Sequence, residues 1–447
     1  MKRTMVMKTV AVLGAASLAL AACSSGDDSA TEAETAAESA ATEAESAVEV
    51  AATAEETAAA AECANPTTLV VGSLLPATGN LAFLGPPEFA GVEKAIAEID
   101  AAGGVLGSPV TYIEGDSGDT STDIASQTTD SHLAQGVQAI IGAASSGVTL
   151  TVIDKITSNG VVMMSPANTA PNLTTYPDND LYWRVAPSDV LQGAVIAASA
   201  IDAGIETMAV IARQDAYGEG LAGATAKDFA GAGGTVTSEL LYDGEAASFE
   251  AEVAEIKAGG PQAVAVIGFE ETTKLLQEMI KQGVGPKDLQ IYLVDGNIST
   301  TAYAEFPNNT MRGVVATVPT GEADLTAFND SLLLVDPDLT DFAYGAQAYD
   351  ATILLALAAQ KAGCADGTTI AAQLADVAGN GGEACTTYAD CVALLAAGSE
   401  IDFNGVTGPL DFNQYGDPAT ATIQINEFST NTEFAEIGRI TAEVPLP

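Results

Sequence analysis

Ala139-Ile140-Ile141-Gly142-Ala143-Ala144-Ser145-Ser146-Gly147 passes from an apolar run, through small residues, into a stretch with helical spacing. An apolar run too short for a helix and closed by glycine reads as a strand buried on both faces. The same grammar recurs along the chain. Leu69-Val70-Val71, Val161-Val162-Met163-Met164, Met208-Ala209-Val210-Ile211, Ala263-Val264-Ala265-Val266-Ile267 and Ile291-Tyr292-Leu293-Val294 are further strand candidates. Between them lie amphipathic segments carrying Phe89, Val92, Ile96 and Ile99, then Phe249, Val253 and Ile256, then Leu275, Leu276, Met279 and Ile280. All three fit the spacing of a half-buried helix. Strands alternating with helices predict an α/β fold with parallel sheets. The strands form two sets, one ending near Tyr182-Trp183-Arg184 and the other opening at Met208. Two doubly wound parallel-sheet lobes with a ligand cleft between them are expected.

In such sheets ligands sit outside the carboxyl ends of the strands, so the loops that follow them are the candidate walls. Ser145 and Ser146 follow the strand at Ile141, at a helix start. Serine there caps free backbone N–H groups, and the same geometry receives an anion. Ser165-Pro166-Ala167-Asn168-Thr169-Ala170-Pro171 follows Met164 as a rigid polar loop with N–H and hydroxyl groups to offer. Arg213-Gln214-Asp215-Ala216-Tyr217-Gly218 follows Ile211, and Asp295-Gly296-Asn297 follows Val294.

The chain opens Met1-Lys2-Arg3, keeps a cation at Lys8, and then runs without charge to Leu20-Ala21-Ala22-Cys23. A basic start, a short apolar core and a small-residue exit predict an export leader over 1–22. The core is too short to span a membrane, which takes roughly 20 apolar residues. Leu20-Ala21-Ala22-Cys23 resembles the bacterial lipobox, which makes Cys23 the expected site of lipidation and the only membrane attachment. Two or more acyl chains anchor stably. From Cys23 to about residue 65 the sequence is nearly all Ala, Glu, Thr and Ser without Lys or Arg. It has too little apolar surface to offset its ordering entropy and reads as a disordered acidic tether, whose roughly 40 residues would span about 35 Å as a coil.

The formal net charge is −45, with 60 acidic residues against 15 Lys and Arg. That balance argues against nucleic-acid and anionic-lipid partners. Of five cysteines, setting Cys23 aside leaves an even number for an oxidising compartment. Cys385 and Cys391 flank a short loop and are the favoured bridge, with Cys63–Cys364 following by elimination. With no Cys-x-x-Cys and a single histidine, His132, neither a metal site nor a cofactor is expected. His132 is expected at a helix end facing solvent.

Several segments in order resemble the type I periplasmic-binding family, in particular its leucine/isoleucine/valine-binding members. Val71-Gly72-Ser73-Leu74-Leu75-Pro76-Ala77-Thr78-Gly79 and Phe83-Leu84-Gly85 open the series. Ile99-Asp100-Ala101-Ala102-Gly103-Gly104-Val105-Leu106-Gly107, Met164 to Pro171 and Asp215-Ala216-Tyr217-Gly218-Glu219-Gly220 continue it. Gly405-Val406-Thr407-Gly408-Pro409-Leu410-Asp411-Phe412 closes it, so the resemblance covers nearly the whole chain beyond the tether. It implies three crossings between the lobes, near Ser188, Thr320 and Thr422. One lobe would then hold 66–188 with 320–422, and the other 189–319 with 423–447. It further implies an amino-acid α-carboxylate held by Ser146 and the Ala167–Thr169 loop, and an α-ammonium meeting Asp295, where aliphatic-amino-acid binders often have glutamate. Tyr217 would close over the main-chain end of the ligand, with Leu84 and Phe269 forming the side-chain pocket. Leu84 departs from the family's usual tyrosine or tryptophan, and the family's early disulfide is missing.

The expected function is therefore that of an exported, lipid-anchored solute-binding component of an ABC importer, on the outer face of the cytoplasmic membrane or in the periplasm, and not an enzyme. Its ligand would be an aliphatic amino acid and its protein partner a permease. Binding of an amide, urea or small aromatic acid, or service to a separate receptor chain, are the alternatives. Gly218-Glu219-Gly220-Leu221-Ala222-Gly223 fits a dinucleotide fingerprint, with Asp243 placed for a ribose. That fingerprint must follow its strand directly, whereas Arg213 to Tyr217 intervene. There is no G-x-S-x-G nucleophile elbow for a hydrolase.

Overall fold

The structure, a computed structural model, describes Cys63, residues 68–379 and residues 381–446. The leader, Cys23 and all of the tether but Cys63 lie outside the described residues. The first lobe begins β1 (Val70–Leu74), α1 (Gly85–Ala101), β2 (Thr111–Ile113), α2 (Ile124–Ala134), β3 (Ala139–Gly142), α3 (Ser146–Thr157), β4 (Val162–Ser165) and β5 (Tyr182–Arg184). Its strands are all parallel, in the order β2-β1-β3-β4-β5. The second lobe continues with α4 (Asp189–Asp202), β6 (Thr207–Arg213), α5 (Ala216–Gly231), β7 (Thr235–Tyr242), α6 (Glu250–Gly259), β8 (Ala263–Ile267), α7 (Thr272–Gln282), β9 (Gln290–Leu293) and β10 (Val315–Thr320). Strands β7-β6-β8-β9-β10 are parallel and repeat the order of the first sheet. This order places a switch point between β1 and β3, and a second between β6 and β8. The ligand crevice of a doubly wound sheet opens there.

The chain then returns to the first lobe as α8 (Thr326–Leu332), α9 (Gly345–Ala362), α10 (Gly367–Ala378), β11 (Glu383–Cys385), α11 (Tyr388–Ala396), β12 (Ile401–Gly405) and β13 (Gly408–Pro409). It finishes in the second sheet with β14 (Thr420–Phe428) and β15 (Phe434–Glu443). The lobes are thus joined by three crossings: between β5 and α4, after β10, and into β14, where Thr320 pairs with Thr422. The hairpin β14–β15 is antiparallel and adds an element the sequence reading did not include. Burial along β14 is mixed and no residue of β15 is buried, as expected where one face meets solvent, so the hairpin lacks the continuous apolar run that marks the inner strands.

Local chemistry accounts for the helix boundaries. Helix α1 starts on Pro86 and Pro87, where proline's fixed φ suits a first turn. Helices α6 and α7 end on Gly260 and Gly283 in the left-handed conformation, which glycine adopts without penalty. Cys63 is bonded to Cys364 and Cys385 to Cys391. Cys63, Cys364 and Asp366 lie close enough to hold a metal ion, but both sulfurs are spent in that disulfide.

Helix α9 is the axis of the first lobe, buried along nearly its whole length between α1 and α10. It carries Asp350, whose carboxylate accepts the Val406 and Thr407 N–H groups at 2.9 Å and the Thr407 hydroxyl at 2.6 Å. That contact fixes the Gly405-Val406-Thr407-Gly408 loop. Burial pushes the Asp350 carboxyl up to about 6, against the pull of those donors. Folded protein therefore keeps this proton over a range in which unfolded chain has lost it, and the stability so gained disappears as pH rises from about 4 to 6. In urea titrations stepped across that range, Asp350→Asn is expected to flatten the decline by on the order of 2–3 kcal/mol. An unchanged slope would mean that Asp350 does not carry it.

His132 does not face solvent. It is buried in the last turn of α2 and bonds the Ser73 carbonyl through Nε2 at 2.7 Å. The glycines at 72 and 115 make its room, since a Cβ at either would come within 2.8 Å of the ring. Burial lowers its pKa, which fits a neutral, structural side chain.

Candidate functional site

The segments after the carboxyl ends of six strands converge on one narrow cleft. From the first lobe it is lined by Leu84, Ser145, Ser146, Ala167 and Thr169, and from the second by Tyr217, Phe269 and Asp295. Eight of the nine predicted site residues are thereby brought together. The walls approach so closely that free space for a water's centre is about 10 Å³, the scale of one water molecule. The lobes also touch at the rim. Asn80 Nδ2 donates to Glu245 Oε1 at 2.8 Å, and a Cβ on Gly220 would lie 2.4 Å from Pro171 Cδ.

One wall is built to donate. Ser145 caps α3, its hydroxyl oxygen accepting from the Val148 N–H. Ser146 Oγ accepts the Thr169 and Ala170 N–H groups at 3.3 and 3.2 Å. Its lone pairs are engaged by the loop after β4, which leaves its own proton to donate. Two of the predicted residues engage polar groups of their own lobe. The Ala167 N–H goes to Ser165 Oγ at 3.2 Å, while the residue lines the cleft. Asn168 does not line the cleft at all. Its amide donates to the Ala144 carbonyl and accepts from Thr149 and Tyr182, all within 2.9 Å. A side chain with such partners on its own lobe fixes the loop rather than meeting a ligand.

The opposite wall presents Asp295, which follows β9 and is buried. Its Oδ1 accepts Gln192 Nε2 at 2.9 Å and the Tyr217 hydroxyl at 3.0 Å, and its Oδ2 accepts the Tyr344 hydroxyl at 2.6 Å. Burial raises the Asp295 carboxyl, while the Tyr344, Gln192 and Tyr217 donors pull it back down. Asp189, buried nearby in the first turn of α4, is raised by burial and then by the charge of Asp295. Burial and the charge of Asp295 push both phenols up, which keeps them as donors.

Sequence reading missed Tyr344 and Gln192. Tyr344 belongs to the first lobe but reaches Asp295 of the second, from a left-handed backbone with φ of 60° just before α9. A bulky residue there is uncommon, and no periodicity or motif marks it. Gln192 lies on the buried side of α4, where a polar residue among apolar neighbours was the only signal.

A family model for periplasmic binding proteins matches residues 68–425. The chain belongs to the periplasmic binding protein family. The Leu/Ile/Val-binding protein homolog 1 of Brucella abortus is 31% identical, over 68% of this chain and 81% of that protein. The chemotactic signal transduction system substrate-binding protein BasB of Halobacterium salinarum is 27% identical, over 79% and 85%. The solved structure of the branched-chain amino acid transporter substrate-binding protein LivJ from Streptococcus pneumoniae, in complex with isoleucine, shares the fold. Its TM-score is 0.69 at 22% identity, covering 84% of this chain and all of the other. As a periplasmic binding protein the chain is a solute-binding protein. Two glycines of the apparent dinucleotide fingerprint, Gly218 and Gly220, have packing roles in this periplasmic binding protein, whereas a Cβ on Gly223 would meet nothing within 4 Å. A Cβ on Gly218 would lie 2.1 Å from the Arg213 carbonyl oxygen.

Proposed function

We propose that the protein captures a free α-amino acid with an aliphatic side chain and delivers it to the permease of an ABC importer. The observation that carries this reading is the polarity of the cleft. A buried carboxylate on one wall faces, across a narrow gap, a helix start and a hydroxyl donor on the other. The two ends of a zwitterion need that arrangement, and exclusion of water on closure strengthens both contacts. Leu84 and Phe269 supply apolar surface, worth about 1.5–3 kcal/mol for a fully buried aliphatic side chain. Because the walls leave so little space, the lobes must part for a ligand to enter. A ligand touching both walls then favours closure through its differential affinity. The lobe boundaries that go with this reading are 66–188 with 320–422, and 189–319 with 423–447.

Calorimetry against leucine, leucinamide and N-acetyl-leucine tests it. Leucine is expected to bind, and blocking either the carboxylate or the ammonium is expected to abolish the heat. Equal binding of N-acetyl-leucine would remove Asp295 from ligand recognition and the amino-acid assignment with it. The similarity to BasB supports a second reading, in which the loaded protein docks on a separate receptor chain. Both readings place the protein outside the cytoplasmic membrane, tethered through Cys23. Cys23→Ala is expected to move it from the membrane pellet to the soluble fraction with unchanged ligand affinity. Retention in the pellet would rule out this anchor.

A further inference from the structure

We infer that Arg213 is a positioning residue for the ligand's side-chain pocket, holding Phe269 against Tyr217 and so setting the preference for a longer aliphatic side chain over a methyl group. This rests on the amino-acid reading given above. Arg213 is the last residue of β6 and only 6% exposed. Its guanidinium carbon lies 3.8 Å from the centroid of the Phe269 ring. The same ring stacks on Tyr217, with centroids 5.3 Å apart and planes within 15°.

The guanidinium also binds the two loops that supply these aromatic rings. Its Nε donates to Asp215 Oδ2 at 2.5 Å. Asp215 is the N-cap of α5, accepting the Gly218 N–H at 2.8 Å, and so fixes the turn that carries Tyr217. Its Nη1 donates to Glu271 Oε1 at 3.0 Å, and that oxygen also accepts the Phe269 N–H at 3.0 Å and the Tyr242 hydroxyl at 2.9 Å. One ion-pair network therefore pins the backbone of Phe269 while its cation covers the ring. The backbone of Gly244 closes against the guanidinium, where a Cβ would sit 3.4 Å from Cζ. A flat fork with donors in fixed directions can cover a ring and bond two carboxylates together, whereas a lysine ammonium is a point charge without that plane. No local pattern in the sequence marks Arg213 for this role, because Glu271 and Phe269 meet it only in the fold.

The test compares Arg213→Gln and Arg213→Lys with wild type by calorimetry, using alanine, valine and leucine. Arg213→Gln is expected to weaken leucine roughly 3- to 30-fold and alanine less than about 2-fold, with Arg213→Lys between. In a Phe269→Leu background the same change is expected to alter leucine affinity less than about 2-fold, since the residue acts through that ring. A parallel NMR measurement with ring-labelled phenylalanine follows the Phe269 resonance, assigned by its loss in Phe269→Leu. That signal is expected to shift and broaden in Arg213→Gln. Equal weakening of alanine and leucine, or an undiminished effect in the Phe269→Leu background, would reduce Arg213 to a structural ion pair. If wild type gives no heat with any of the three amino acids, the proposed ligand class fails. The NMR arm then decides alone, and an unmoved Phe269 signal overturns the inference. Should Arg213→Gln fail to fold, Arg213→Lys carries both comparisons.

Discussion

Asp295→Ala is expected to cost about 2–5 kcal/mol of ligand binding, by analogy with truncated buried charge pairs. That is roughly 30-fold to several-thousand-fold in Kd. The loss arises because the ligand's ammonium would enter a closed cleft whose remaining partners, Gln192, Tyr217 and Tyr344, offer donors towards that carboxylate. Three donors would be left without their acceptor at the same time. Stability should not follow the affinity downward. A buried carboxyl whose pKa burial raises is a cost to the folded protein near neutral pH, so its removal relieves part of what the lost hydrogen bonds take away. Calorimetry and urea unfolding on one preparation separate the two effects. Binding that survives Asp295→Ala within a factor of about 3 would show that the ammonium is held elsewhere. Ser146→Ala is expected to be milder, about 1–3 kcal/mol, because Ser145 and the first turn of α3 still serve the carboxylate.

Breaking the buried pair behind the donor wall should have its largest effect on folding. Arg184, fully buried in β5, donates from Nε to Asp417 Oδ1 at 2.6 Å and from Nη2 to Oδ2 at 2.8 Å. Its Nη2 also meets the Thr174 hydroxyl, and its Nη1 the carbonyls of Asn168 and Ala170. The guanidinium thus ties the loop that carries Thr169 to the segment entering β14, the third crossing. Asp417→Ala is expected to cost about 3–5 kcal/mol of stability, because it leaves a buried cation uncompensated. Arg184→Met with Asp417→Leu should cost less than either single change, since apolar replacement of both partners removes the unpaired charge. The carbonyls that lose Nη1 keep that double variant below wild type. Urea midpoints of wild type, Arg184→Met, Asp417→Leu and the double variant give the cycle. A double variant no more stable than the worse single one would mean that packing, rather than the buried charge, sets the loss.

The sequence by itself determined the class of fold and the addresses of most wall residues. Continuous apolar runs such as Val264-Ala265-Val266-Ile267 can be satisfied only by strands covered on both faces. In a doubly wound sheet the residues just after such runs must sit at the cleft. Ser146, Tyr217 and Asp295 were legible because each follows its strand within a few residues, and the ordered segments resembling the family reinforced these positions and added Phe269. Tertiary structure alone decided what those residues meet. Tyr344 reaches Asp295 from the other lobe across 49 positions of sequence, and Arg213 meets Glu271 across 58. Asn168 turned from wall to scaffold because Thr149 and Tyr182 happen to lie behind it, and His132 turned inward because two distant glycines leave it space. Periodicity and capping are properties of neighbours along the chain. Hydrogen-bond partners and burial are properties of neighbours in space, fixed only when the two sheets and their crossings are assembled.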